Sequence, residues 1–311
     1  MCGIFGVNAK YSVIAPILDG LTKLEYRGYD SSGIAVIDEN KEIKTIRSKG
    51  KLFNLKKKID KIKISGKIGI GHTRWATHGV PSTTNAHPHT SDNVSIVHNG
   101  IIENYSSLKK ELQKKGYNFK SQTDSEVIAH LLSNELKKNN AEVAIKMTLS
   151  KLEGAFAIAI IFKDLSLLAG ARKGSPLAVG VSDDATFIGS DSVALAPFTK
   201  KIIFLEEGDS VFIQDKALKI YNEKFNEVKR QITYSSYTKD NLDKGNFNHF
   251  MQKEIFEQPH VIGDSLSRFV EPIHKIINIP ELKINWKKIS KINFIACGTS
   301  FFACQVASYW F

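Results

Sequence analysis

The sequence has little of several features that would assign it to a particular class of protein. Its 311 residues include three cysteines, too few for the disulfide framework of a small secreted domain. No apolar run reaches the roughly 18 residues typical of a membrane span. The amino terminus lacks the cationic stretch followed by an apolar stretch that marks a secretory signal. These absences predict a protein of the reducing cytoplasm with no membrane partner.

Acidic residues are also comparatively few, since 43 Lys and Arg against 32 Asp and Glu give a formal net charge of +11. A basic balance of this kind can indicate a nucleic-acid surface. Here the excess is mostly lysine, dense at 56–58 and in KKELQKKG (109–116), and no basic stripe is interleaved with aromatic residues. We therefore predict a lysine-rich surface and no nucleic-acid partner.

Short apolar segments bounded by turn residues predict strands through the first two-thirds of the chain. Prominent examples are CGIFGV (2–7), SGIAVI (32–37), IGIGHTRW (68–75), VSIVH (94–98) and GAFAIAIIF (154–162). Several are apolar throughout, which is typical of strands covered on both faces. Helical patterns lie between them, at 13–26, 104–116 and 124–138. The sequence therefore predicts an α/β domain of two packed sheets with helices outside.

The composition becomes polar near residue 222, which suggests a boundary. We predict a first domain at 2–221, a linker at 222–250 and a helical lead-in at 251–290 that is broken near Pro259. The last segment, 291–311, has the pattern of a buried strand, a Gly-Thr-Ser turn and a helix. We interpret it as the incomplete start of a second α/β domain.

Cys2 stands directly behind the initiator methionine, in MCGIFG. Removal of Met1 would leave one residue with both a thiol, of pKa about 8.5, and an α-amine, of pKa about 7.7–8.0. Such an amine can act as the general base for the thiol, as it does for an amino-terminal threonine. The structural alternative is a small buried hydrophobic residue in the first strand.

VHNGII (97–102) contains Asn99-Gly100 between apolar residues, a strong hairpin signal. It could form a plain turn. It could also aim the Asn99 amide and the Gly100 N–H at one point, as in an oxyanion hole. The two interpretations are compatible.

GHTRWATHGVPSTTNAHPH (71–89) collects histidines, an arginine and a tryptophan in one irregular stretch. One interpretation of this stretch is a metal site, but the spacing of the histidines matches no common zinc-binding pattern. The favoured interpretation is a polar loop after a buried strand, with Arg74 binding a carboxylate and Trp75 either in the core or functional. In QTDSEV (122–127), Asp124 is by itself a helix N-cap candidate.

Together and in this order, the motifs MCGIFG, EYRGYDSSGIA, GHTRWATHG, NAHPH, VHNGIIENY and SQTDSEVIAHL resemble the class II glutamine amidotransferases, the N-terminal-nucleophile glutaminases. The resemblance implies a four-layer αββα domain and no cofactor or metal. Cys2 would attack the side-chain amide of L-glutamine to form a thioester and release ammonia. Asn99 and Gly100 would hold the oxyanion.

The same resemblance implies which residues bind the substrate. Arg74, with Thr77 and His78, would bind the α-carboxylate of glutamine, and Asp124 its α-ammonium. The remaining positions carried over are Arg27 and Tyr29 as a mobile edge, Trp75 as a gate for ammonia, and His87 and His98 in support.

The sequence GHTRWATHG followed by NAHPH resembles the members of this family that transfer ammonia to fructose 6-phosphate and form glucosamine 6-phosphate. It is less similar to the amidophosphoribosyltransferases and asparagine synthetases. IACGTS (295–300) resembles the opening of a sugar-isomerase (SIS) domain, with Thr299 and Ser300 in its first sugar loop. The chain alone is predicted to be a glutaminase, and the full-length protein a homodimer. The alternatives are another acceptor, a non-catalytic glutamine-binding fragment or a metal hydrolase.

Overall fold

The computed structural model describes residues 2–214, 217–235, 246–271, 276–277 and 284–311. It divides into two compact units, Met1–Leu242 and Asp243–Phe311. The division falls inside the predicted linker at 222–250. Residues 236–245 of that linker, and 272–275 and 278–283 of the predicted lead-in, lie outside the described residues.

Two antiparallel sheets form the centre of the first unit. Among the described residues the first sheet contains β1 (Gly3–Ala9), β2 (Ser31–Ile37), β3 (Ile43–Lys49), β4 (Ile68–Arg74), β9 (Ala178–Val181), β10 (Ala185–Gly189), β11 (Lys201–Phe204) and β15 (Ile232–Tyr234). Their spatial order is β15-β11-β9-β10-β1-β4-β2-β3.

The second sheet, again within the described residues, contains β5 (His89–Ser91), β6 (Val94–Ile102), β7 (Gly154–Phe162), β8 (Leu167–Lys173), β12 (Ser210–Gln214), β13 (Ala217–Tyr221) and β14 (Glu227–Val228). Their spatial order is β14-β13-β12-β8-β7-β6-β5. Strands β14 and β15 lie within the predicted linker, so its polar composition did not prevent pairing with the sheets. The boundary at 221 remains a prediction.

Helices cover the outer face of each sheet. They are α1 (Ile14–Leu24), α2 (Leu52–Ile59) and the short α6 (Ser192–Leu195) on the first sheet, and α3 (Tyr105–Lys114), α4 (Glu126–Leu136) and α5 (Ala141–Lys151) on the second. The helix predicted at 13–26 forms because its apolar side chains, such as Ile17 and Leu21, recur on one face and are fully buried.

Three apolar clusters hold these layers together. One lies between the sheets and includes Ile70 and Val97, and the other two lie beneath the two sets of helices. Residues of β7 point alternately into the inter-sheet cluster and the helix-covered one, as Ala159 and Ile160 do. The predicted four-layer αββα arrangement is confirmed.

The second unit contains α7 (Phe250–Phe269), the short pair β16 (Val270–Glu271) and β17 (Ile276–Ile277), and α8 (Thr299–Trp310). Two predictions are wrong here. Helix α7 continues through Pro259, because a proline inside a helix costs a hydrogen bond without necessarily ending it. Residues 291–297 form no strand, because no described segment pairs with them. Among the described residues, no helix is long and apolar enough to cross a membrane.

Candidate active site

A cavity of about 270 Å³ opens in the first unit beside the start of β1 and the end of β4. These two ends meet because β1 and β4 pair antiparallel, with Gly3 opposite Thr73. The sequence-predicted residues that line the cavity are Cys2, Arg27, Arg74, Trp75, Thr77, His78, His87, His98, Asn99, Gly100 and Asp124. Segments far apart in the sequence are therefore gathered around one space.

The Cys2 thiol is held by the backbone of Trp75. The Trp75 N–H donates to Sγ at 3.2 Å, and Sγ lies 3.5 Å from the Trp75 carbonyl oxygen. Burial raises the pKa of the Cys2 thiol, although the Trp75 hydrogen bond and the nearby positive charges oppose this. The thiol is thus protonated near neutral pH, and a nucleophilic role needs a proton acceptor at the sulfur.

The Asn99 side chain is oriented from both ends. His72 Nε2 lies 3.0 Å from Asn99 Oδ1 and 3.0 Å from the His98 carbonyl oxygen. Because both partners accept, Nε2 carries the proton, and burial lowers the pKa of His72 to about 3, which keeps the ring neutral. Asn99 Nδ2 donates to the Cys2 carbonyl at 2.9 Å. That is its only bond within the described residues, so its second N–H can reach a ligand.

Gly100 lies inside β6 opposite Phe156, so the hairpin-turn interpretation of Asn99-Gly100 is wrong. Its φ is +129°, and a Cβ there would lie 2.0 Å from the Ala155 carbonyl oxygen. No other residue fits this position. The glycine lets the backbone next to Asn99 approach the cavity closely.

Arg74 is a buried cation without a carboxylate partner among the described residues. Its Nη2 donates to the carbonyl oxygens of His78 and Gly79, the latter at 3.2 Å. Its Nη1 is buried and has no partner in the described part of the chain. A buried guanidinium in this state favours an anionic ligand.

Asp124 is the complementary case. It is 3% exposed, and its Oδ2 accepts the Ile102 backbone N–H at 2.8 Å. No Lys or Arg forms an ion pair with it among the described residues, and burial keeps the neighbouring His98 neutral, although the Asp124 charge raises the pKa of that ring. The N-cap interpretation is wrong, because Ser125 precedes α4 and Asp124 is turned toward β6 instead. The cavity therefore contains one buried cation and one buried anion, both short of a partner.

Arg27 and Tyr29 sit at the edge of the cavity. Arg27 Nη2 lies 2.5 Å from Asp191 Oδ2. Although burial works against it, hydrogen bonds from the Val193 backbone and Arg27 hold the pKa of the Asp191 carboxyl below its ordinary value. Tyr29 does not line the cavity, and its ring meets the half-exposed Trp75 edge-on with centroids 5.4 Å apart. Thr77 is exposed at the same rim.

The remaining histidines pack by their rings. His87 lies 4.2 Å from His72 and 4.6 Å from His89 between ring centroids, and His98 Nδ1 lies 2.8 Å from the Ser125 hydroxyl. Burial lowers the pKa of His89 to about 3 and of His98 to about 4, so these rings are neutral. No group of three or more His, Cys, Asp or Glu with metal-binding geometry occurs among the described residues.

Several lining residues were not predicted. They are Ile101, Thr123, Ser125, Ser175 and Pro176. Ser175 and Pro176 follow Gly174, whose φ is +73°. The Gly-Ser-Pro sequence marks a turn and could have indicated a loop, although not one at the cavity.

Comparison with known proteins agrees with this geometry. A family model described as a glutamine amidotransferase domain matches residues 72–197. The chain is 49% identical to glutamine–fructose-6-phosphate aminotransferase [isomerizing] of Mesorhizobium japonicum, over 100% of the chain and 51% of that protein. Residues 72–197 of the chain therefore match a glutamine amidotransferase domain. A relative of the same name from Zymomonas mobilis is 44% identical, with the same coverage. The chain spans about half the length of the curated relatives it matches.

Solved structures of amidotransferases share the fold. Glutamine phosphoribosylpyrophosphate amidotransferase from B. subtilis superposes with a TM-score of 0.62 at 28% identity, over 73% of this chain and 50% of that one. A glutamine aminotransferase class-II domain protein from Silicibacter pomeroyi gives 0.52 at 15% identity, over 72% and 100%. The second likeness concerns the fold alone.

The match to the amidotransferase family model covers only part of the predicted site. It begins at His72 and so excludes Cys2. Thr299 and Ser300 lie in the second unit, exposed, at the start of α8. The roles of all the predicted site residues, these three included, remain proposals.

Proposed function

We propose that this chain hydrolyses the side-chain amide of L-glutamine, with Cys2 as the nucleophile. The observation that carries the proposal is the pair of buried charges, Arg74 and Asp124, that line one cavity with the thiol. Each lacks an ionic partner in the described residues. The α-carboxylate and α-ammonium of an amino acid would supply both partners at once, which favours an amino acid over a simple amide.

The first half of the reaction forms a thioester. With Met1 removed, the α-amine of Cys2 accepts the thiol proton, since the bonding partners of Sγ among the described residues are backbone atoms of Trp75. The sulfur attacks the amide carbon, and Asn99 Nδ2 and the Gly100 N–H receive the oxyanion. The C–N bond then breaks, and ammonia leaves with the proton that the amine returns.

The second half releases glutamate. A water molecule attacks the thioester carbon, and the α-amine of Cys2 accepts its proton. The C–O bond forms first and gives a tetrahedral oxyanion. When this oxyanion collapses, the C–S bond breaks, and the sulfur recovers the proton from the amine as a thiol. The same oxyanion donors serve both halves, because both pass through a tetrahedral intermediate.

Residues at the rim complete the proposal. Thr77 and His78 assist Arg74 with the carboxylate. Arg27 and Tyr29 belong to an edge that closes over glutamine, and Trp75 controls the exit of ammonia. Trp75 suits that role because its backbone holds the thiol while its ring stays half-exposed.

For the full-length protein we propose fructose 6-phosphate as the acceptor of ammonia and glucosamine 6-phosphate as the product. The names of the relatives support this assignment. Thr299 and Ser300 would contribute to the sugar site, and this chain alone would act as a glutaminase. A homodimer, a reducing cytoplasmic location and the absence of a nucleic-acid partner complete the proposal.

The test is mass spectrometry after treatment with a diazoketone analogue of glutamine that keeps the α-carboxylate and α-amine. We expect one adduct, on Cys2, in a chain that lacks Met1. Cys2→Ala should give no adduct and lose glutamine hydrolysis by a factor of about a thousand or more, with an unchanged circular dichroism spectrum. Cys297→Ala is the matched control and should behave as the unmodified chain does. An adduct on Cys297 or Cys304 alone would refute the assignment.

A further inference from the structure

The two buried charges of the site lie on different layers of the fold, and their separation has to be fixed by something between them. Arg74 ends β4 in the first sheet, whereas Asp124 lies in the loop before α4, which packs on the second sheet. An α-amino acid has its carboxylate and ammonium on one carbon. The distance between the two protein charges is therefore part of the specificity, if the proposed function holds.

On the Arg74 side, the guanidinium is tied to a neighbouring loop. Nη2 donates to the carbonyl oxygens of His78 and Gly79. Gly79 has a φ of +76°. A Cβ there would lie 2.8 Å from Asn85 Nδ2 and 2.9 Å from Gln122 Cβ. The backbone that holds Arg74 is thus packed directly against Asn85 and Gln122.

Asn85 joins this loop to the Asp124 loop. Its Nδ2 donates to the Val80 carbonyl at 2.9 Å and to Gln122 Oε1 at 3.2 Å, and its Oδ1 accepts the Gln122 backbone N–H at 2.9 Å. Asn85 is 3% exposed, and its own backbone N–H donates to the Ser82 hydroxyl at 3.1 Å. A buried side-chain amide whose oxygen and nitrogen are both hydrogen-bonded holds its partners in place, because the loss of either bond leaves a buried polar group unpaired.

On the other side, Gln122 stands two residues before Asp124 in a loop that is anchored at neighbouring positions. Thr123 Oγ1 lies 3.0 Å from His89 Nε2, and Ser121 donates to Glu126 Oε2 through both its backbone N–H and its hydroxyl, at 2.7 Å each. These bonds hold residues 121–124 as one fixed segment, and the Asn85 bonds determine where that segment lies against the loop that contains Gly79. Among the described residues, Asn85 is the side chain that hydrogen-bonds both loops.

We propose that Asn85 is a positioning residue that sets the separation of Arg74 and Asp124 and thereby the preference for an α-amino acid. It lies outside the residues that line the cavity, so it acts through the two loops. The proposal rests on the proposed function. It predicts that loss of the Asn85 amide harms recognition of the amino-acid head group and spares the reactivity of the thiol.

The experiment compares two probes of Cys2 in the full chain. The glutamine-like diazoketone needs both charges, whereas iodoacetamide is neutral and needs neither. In Asn85→Ala, we expect the second-order rate of labelling by the diazoketone to fall about tenfold or more, and labelling by iodoacetamide to stay within about twofold. KM for glutamine should rise by a similar factor, with a smaller change in kcat.

Asn8→Ala is the matched control, because Asn8 is a buried asparagine of β1 whose Nδ2 lies 3.4 Å from the Ile213 carbonyl on the second sheet. It should change stability without separating the two probes. Gln122→Ala, at an exposed position, keeps the backbone bond to Asn85 and should slow only the diazoketone, about two- to threefold.

The outcomes separate the two proposals. Equal loss with both probes in Asn85→Ala, or no loss with either, would overturn the positioning role. If Asn85→Ala does not fold, Gln122→Ala decides, and unchanged diazoketone labelling there would overturn it. An unmodified chain that reacts with iodoacetamide but not with the diazoketone would instead refute the proposed function, and the positioning role with it.

Discussion

Two apolar segments of similar composition behave differently in the two units. GAFAIAIIF forms β7, paired with β6 on one edge and β8 on the other, and its Ile158 is 0% exposed. INFIAC, at 292–297, forms no strand, and its Ile295 is 94% exposed. The difference lies in the surroundings, because β7 has neighbours on both edges and apolar layers on both faces. An apolar run predicts a strand only where the rest of the sheet is present.

Aromatic side chains show the same contrast between the two units. In the first unit, Phe187 packs against Phe5 and Phe198, with ring centroids 6.0 and 5.0 Å away. In the second unit, Trp310 at the end of α8 is 82% exposed. The stability of the described chain therefore depends on the first unit, and so does the geometry of the cavity.

The largest effect should come from a pair of aromatic truncations that tests this contrast directly. Phe187→Ala removes a fully buried ring and should lower the free energy of unfolding by about 3–5 kcal/mol. Trp310→Ala should change it by no more than about 0.5 kcal/mol. Urea denaturation followed by circular dichroism measures both. Similar losses in the two variants would mean that Trp310 is buried in solution and would remove the contrast.

A second test asks whether glutamine binding belongs to the first unit alone. Arg74→Ala and Asp124→Ala should each raise KM for glutamine about 10- to 100-fold, because each removes a charge-assisted contact and leaves the other charge buried. Steady-state release of glutamate provides the measurement. An unchanged KM in either variant would remove that residue from the site.

Two controls sharpen this test. Thr299→Ala, in the second unit, should leave KM for glutamine unchanged. Arg230→Ala removes an arginine that is already paired, with Asp209 at 2.8 Å and Glu206 at 2.8 Å. It should lower stability and leave KM unchanged, because its charge has no role toward a ligand.

Much of the first unit could be predicted from the sequence, because its long apolar strands and one-faced helices carry their own pattern. The pattern gave no indication of β12 and β13, which are short and end in polar residues. Asn99-Gly100 had the local signature of a turn, and the pairing of β6 with β7 overrode it. Local preferences are weak when a neighbouring strand offers a full set of hydrogen bonds.

The candidate site was predicted as a set of residues and not as a geometry. The predicted roles of its residues came from the resemblance of the motifs to the N-terminal-nucleophile glutaminases, and a cation and an anion also suit the head group of an amino acid. What could not be predicted is how each is held. The Asp124 carboxylate binds the Ile102 N–H, and Asn85 joins two loops, through contacts between residues far apart in the sequence. Such contacts leave no periodic signal.

The smallest effect concerns the buried histidines of the first unit. Burial lowers the folded-state pKa of His89 to about 3, against about 6.5 in the unfolded chain. Below pH 6.5 the unfolded state therefore binds more protons than the folded state. Protonation of His89 thus leaves the free energy of unfolding unaffected above pH 6.5 and lowers it by about 1.4 kcal/mol per pH unit from there toward pH 3. His89→Gln should flatten the dependence of unfolding free energy on pH between 6.5 and 5 by that amount. His260→Asn, at an exposed position of the second unit, should leave the slope unchanged. An unaltered slope in His89→Gln would show that His89 takes up its proton without unfolding of the first unit, and the acid sensitivity of that unit would then have to come from its other buried histidines.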